Sequence, residues 1–81
     1  MRGQIVVVKD VAGRGLVRKV WDVTDDAVLV ATDETYGRLV SGESILLVGF
    51  PWEDVYESDG RPLPASPDWK SMKRWKPLTA A

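Results

Sequence analysis

Three short apolar runs, Ile-Val-Val-Val at 5–8, Ala-Val-Leu-Val-Ala at 27–31 and Ile-Leu-Leu-Val at 45–48, limit what this chain can fold into. Gly, Asp, Thr and Ser separate them, and each is too short for a globular helix, so they read as strands over 4–9, 27–32 and 45–50. Strands are also expected at 16–23 and, briefly, at 54–57. A half-exposed strand is apolar only at alternate positions, as Val17, Lys19, Trp21 and Val23 mostly are. In the three runs both faces are apolar. A chain of 81 residues buries only about 60% of the surface its unfolded form exposes, and a small barrel has room inside for one set of side chains. The other set must be covered by the rest of the chain or by another copy. Leaving roughly six such side chains wet would forgo about 1.5–3 kcal/mol each. Self-association, most simply a two-fold dimer, is therefore expected.

The connections support a β reading. Asp10-Val11-Ala12-Gly13-Arg14-Gly15 carries two glycines suited to positive φ. Thr24-Asp25-Asp26 is short enough for a tight hairpin. Residues 33–44 fit either a helical turn or an irregular strand. After a turn at Ser58-Asp59-Gly60, the segment Arg61-Pro62-Leu63-Pro64-Ala65-Ser66-Pro67 is too rich in proline for sheet or helix interior. Ser66 is placed to cap a short C-terminal helix that starts at Pro67 and stops at Pro77. Trp69, Met72 and Trp75, three apart, would form one stripe on it. The expected organisation is a small β-barrel over 1–57 and a connector with a helical tail over 58–81, the last residues, 79–81, frayed. The tail would pack on the barrel or on a neighbouring subunit. Residues 1–60 hold six basic and eleven acidic side chains, whereas 61–81 hold five basic and one acidic. A basic tail beside an acidic body favours the same docking.

The order strand, glycine turn, strand, Asp-Asp turn, strand over 5–31 resembles the KOW and Tudor-like members of the Src-homology-3-type small barrels. Val11-Ala12-Gly13-Arg14-Gly15-Leu16-Val17-Arg18-Lys19-Val20 looks like the KOW pattern, with Gly15 at the glycine before the second strand. Gly49-Phe50-Pro51-Trp52-Glu53-Asp54-Val55 is similar to the closing segment of Src-homology-3 domains, although Asp54 stands where that family has a ligand-stacking tyrosine. The resemblance covers some fifty residues and implies a five-stranded Src-homology-3-like barrel. It also implies an option of binding methylated or other cationic side chains in an aromatic cage.

Candidate sites follow from residue chemistry. Trp52 and Tyr56, with Glu53 and Asp54 beside them, would make an aromatic wall for a cationic peptide; the competing reading is that Trp52 packs under the tail. Trp69, Met72 and Trp75 are the expected oligomer contact. Arg61 to Pro67 resembles the arginine-first proline-rich peptides that Src-homology-3 domains bind, which implies an internal pseudo-ligand; the competing reading is a plain connector. Arg14, Arg18, Lys19, Lys70, Lys73 and Arg74 are the candidates for nucleic-acid contact, against an overall isoelectric point near 5.3.

The chain has no His and no Cys, so the commonest general base, the commonest metal ligand and all thiolate chemistry are missing. Asp25-Asp26 and Asp33-Glu34 suit turn backbone better than a metal loop. No cofactor, metal or catalytic activity is expected. Met1-Arg2-Gly3-Gln4 shows no leader pattern and no apolar run approaches a membrane span, so a cytoplasmic protein with no membrane partner is expected. The expected function is a non-catalytic, self-associating protein-interaction or adaptor module. The alternatives are a KOW-like nucleic-acid or ribonucleoprotein binder and an oligomer with a small-molecule site at a subunit boundary.

Overall fold

A computed structural model describes residues 2–58 and 60–76. The strands are β1 (Ile5–Lys9), β2 (Gly15–Val23), β3 (Ala27–Ala31), β4 (Val48–Pro51) and β5 (Val55–Glu57), with one helix, α1 (Asp33–Val40), between β3 and β4. All neighbouring strands are antiparallel, in the order β4-β3-β2-β1-β5.

Turn chemistry sets the first two hairpins. The Asp10 carboxylate accepts from the backbone N–H groups of Ala12 (2.9 Å) and Arg14 (2.8 Å), and Gly13 takes φ +82°. Thr24 closes the β2–β3 turn, donating its N–H to the Ala27 carbonyl at 2.8 Å and accepting from the Ala27 N–H at 3.0 Å. The 33–44 region resolves as helix over its first part. Thr32 caps α1 by accepting from the Thr35 N–H, and Asp33 and Glu34 occupy the first turn, where carboxylates oppose the positive helix end. Tyr36 meets Trp21 edge-on at 5.7 Å, and Leu39 is the buried residue of the helix.

The expected barrel does not close; the sheet curls and stays open. Pro51 and Val55 are joined by a single 3-10 turn, Trp52–Asp54, and four residues reach at most about 14 Å. Edge strands of a flat five-stranded sheet would stand about 19 Å apart, so the sheet bends to bring these ends near each other. Closure stops there because the free side of β5 is already taken. Glu57 N–H donates to the Lys73 carbonyl at 2.7 Å, Trp75 N–H donates to the Val55 carbonyl at 3.0 Å, and Tyr56 bridges antiparallel to Arg74.

That pairing also overturns the expected C-terminal helix. The tail forms only a 3-10 turn, Trp69–Ser71, capped by Asp68 instead of Ser66, and Met72 is already extended at φ −100°, ψ 152°. A helix of about nine residues is marginal by itself, whereas the extended tail gains backbone bonds to β5 and buries an indole. Pro77 and residues 79–81 lie outside the described residues.

The core sits on one face of the curl. Val6, Val8, Val20, Val28, Val30, Val55 and Trp75 form it, with Leu16, Val23, Phe50 and Trp52 packed against it. Val7 points to the other face, opposite Val17 and Tyr56, yet it is as fully buried as Val6 and Val8. The tail covers that second face: Trp69 stacks on Tyr56 with ring centroids 5.3 Å apart and anchors its Nε1–H on the Gly13 carbonyl at 2.8 Å. The two indoles thus grip the β1–β5 side of the sheet from opposite faces.

Candidate functional site

The aromatic wall expected at Trp52 and Tyr56 is divided between the faces. Val55 and Tyr56 alternate, so Tyr56 lies under Trp69 while Trp52 packs against the core cluster. Trp52 Nε1–H donates to the Thr24 carbonyl at 3.2 Å, which ties the turn after β4 to the β2–β3 hairpin. Asp54 pairs with Lys9 at 3.5 Å. Glu53 alone of the four is exposed. The residues adjoin in sequence, but the structure does not gather them round a common cavity.

The tail residues are separated as well. Trp75 keeps only 3% of its surface and belongs to the core of its own chain. Trp69 and Met72 are half-buried. Arg61, Leu63, Pro64, Met72 and Lys73 help line an open concavity of about 560 Å³ beside the proline-rich strap. On the strap's other side, a groove of about 900 Å³ runs past Ile5, Val17 and Leu63. Neither Trp52 nor Tyr56 lines these two spaces.

Several of the cations proposed for nucleic acid already have partners within the chain. Arg14 pairs with Asp10 at 3.1 Å; the Arg14 backbone N–H, with its guanidinium and the Ala12 N–H, holds the Asp10 carboxyl below the usual range despite some desolvation. Arg18 donates Nη1–H to the neighbouring Val17 carbonyl at 2.8 Å. Lys19 meets Asp33 at 3.2 Å and lies 5.2 Å from the Tyr36 ring centroid. Lys70 and Lys9 stand 5.9 and 4.9 Å from the Trp69 ring centroid. Lys73 and Arg74 are exposed on the strand-like tail. Among the described residues no group of three or more acidic side chains is placed to hold a metal ion, and no helix is long and apolar enough to cross a membrane.

A further uncovered surface is the outer edge of β4, besides exposed Val11, Val40 and Ile5 elsewhere. Its inner side pairs with β3 through Val28↔Phe50 and Val30↔Val48; among the described residues no strand lies beyond it in the sheet order. From Ser44 to Trp52 there is no charged residue. Leu46 is 100% exposed and Val48 65%. Edge strands are ordinarily blunted by charge, by a bulge or by a covering segment; here Pro51 removes one N–H at the end of the strand, and Glu43 and Glu53 stand only at the flanks. Glu43 is held by Arg38 through two hydrogen bonds of 3.0 and 3.1 Å, and the Arg38 guanidinium keeps its carboxyl below the usual range. This edge was legible as an uncharged run in the sequence, but an apolar run does not reveal whether its strand lies at the centre or the margin of a sheet.

A scan against protein-family models and searches of curated proteins and of solved structures found no match for this chain.

Proposed function

We propose that this protein is a non-catalytic interaction module that works by strand addition at the β4 edge. The observation that carries this reading is the pairing of an unoccupied strand edge with exposed Leu46 and Val48 on an uncharged segment. An incoming extended chain would satisfy the outward N–H and C=O groups of β4, and its alternate side chains would lie on Val48 and Phe50. Those two positions are directly opposite Val30 and Val28, so the added strand extends the existing core face. Opposed apolar pairs contribute roughly 0.2–1 kcal/mol each beyond Ala pairs.

A peptide copying residues 44–52 is the probe. Added to the full chain, it is expected to shift the backbone amides of β3 and β4 saturably, and Val48→Lys is expected to remove the response while leaving the circular dichroism unchanged. No saturable shift, or shifts centred on the strap and Trp69, would reject strand addition.

A further inference from the structure

The edge is complementary to itself. We propose that residues 45–51, which comprise β4 and the three apolar residues before it, pair antiparallel with the same segment of a second copy about a two-fold axis at Val48, the residues before β4 extending the strand and the two five-stranded sheets joining into one of ten strands. This rests on the strand-addition reading and adds the identity of the occupant.

Symmetry restricts the register severely. Opposed residues in an antiparallel pair share a face, and side chains alternate along a strand. A two-fold axis perpendicular to the sheet therefore sets some residue opposite its own copy. Leu47, Val48 and Gly49, the three middle residues of the uncharged segment 44–52, are the centres that overlap it most fully with its copy. An axis at Leu47 sets Ser44 against Phe50 and Glu43 against Pro51. An axis at Gly49 sets Ile45 against Glu53 and Ser44 against Asp54. The axis at Val48 sets Val48 on Val48, Leu46 on Phe50, Leu47 on Gly49 and Ile45 on Pro51, so every opposed pair across 45–51 is apolar.

The faces agree with this register. Val48 and Phe50 stand opposite Val30 and Val28 of the core, and alternation puts Leu46 on the same side if the strand is continued towards it. The two cores would then merge through the exposed surfaces of Leu46 and Val48. The isologous contact uses one patch twice and closes on itself, leaving β4 no free edge for further growth.

The same register brings Glu43 opposite Glu53 at each end, and like charges opposed across strands destabilise. Arg38 already holds Glu43 through both guanidinium bonds, so one cation stands beside two carboxylates. The charge pattern limits affinity and identifies which substitutions move it. Glu53→Gln relieves the repulsion and tightens the pair; Arg38→Gln loosens it.

The test is sedimentation velocity of the full chain over a wide concentration range, together with single-cysteine variants, which are clean because the native sequence has no cysteine. A concentration-dependent dimer is expected, weakened about tenfold or more by Val48→Lys, as a loss of roughly 1.4 kcal/mol would do, and strengthened by Glu53→Gln. Val48→Cys should cross-link under mild oxidation much faster than Val40→Cys, an exposed control on α1. A monomer at every concentration, a dimer indifferent to Val48→Lys, or equal cross-linking at 40 and 48 would overturn the two-fold pairing. If the chain stays monomeric while the 44–52 peptide still shifts β4, the occupant is wrong and strand addition stands. If neither the peptide nor a second copy engages β4, both fall.

Discussion

At the scale of single residues, the two glycines of the first turn have different work. Gly13 takes the positive φ expected of it, and a Cβ there would meet open space. Gly15 does not: it opens β2, is buried, and is needed for close approach, because a Cβ there would overlap the Pro67 carbonyl oxygen and press on Val7 Cγ1 at 3.2 Å. Both the tail backbone and a fully buried valine resist displacement. Gly15→Ala is therefore expected to cost about 1–3 kcal/mol, the range for overpacking a filled site, read as a lower urea midpoint. A midpoint equal to the parent's would mean that the tail does not lie on Gly15 in solution.

At the scale of elements, α1 shows how a short helix is held. Eight residues are too few for stability in isolation. The Thr32 cap, the acids of the first turn, Arg38 in the last turn and Leu39 burial act together. Removing the cap leaves the Thr35 N–H without its side-chain acceptor. Thr32→Ala is expected to destabilise the protein by about 1 kcal/mol, with Thr32→Ser recovering most of it; equilibrium unfolding of the two variants decides the point, and identical curves for Thr32→Ala and the parent would refute it. The sequence left this region open between helix and strand because Tyr36, Leu39 and Val40 satisfy either period over so short a span. The capping threonine and the two acids behind it were the available signal.

At the scale of the whole molecule, the tail takes the place that barrel closure would have used. It pairs with the outer side of β5, inserts Trp75 into the core and lays Trp69 on Tyr56. Of the second apolar set at 5–8, Val7 is hidden within the chain while Ile5 stays 45% exposed, and at the opposite edge Leu46 and Val48 are exposed side by side on an uncharged segment. Trp75→Ala should cost about 3–5 kcal/mol, a large part of the roughly 5–15 kcal/mol that holds a domain together. Chemical denaturation should show a much weakened or unfolded protein; retention of parental stability would mean that the tail only decorates a sheet able to stand alone.

The strands and turns were legible in the sequence because their causes are local. Alternation, glycine at a positive φ, Asp10 and Thr24 bonding to nearby backbone, and proline at the end of β4 act within a few residues of one another. The site residues were legible only as types: Trp52 and Tyr56 look like neighbours along the chain, yet the 3-10 turn between β4 and β5 packs Trp52 on the core cluster while Tyr56 meets Trp69 on the other face. Tertiary structure decided the path of the tail and the identity of the free edge. Trp69, Met72 and Trp75 recur at an interval compatible with a helix, but local propensity in so short a segment is worth less than two backbone bonds to β5 and a buried indole. Since those partners lie some twenty residues away, only the folded chain could choose between them, and in taking β5 the tail left β4 as the edge without a neighbour.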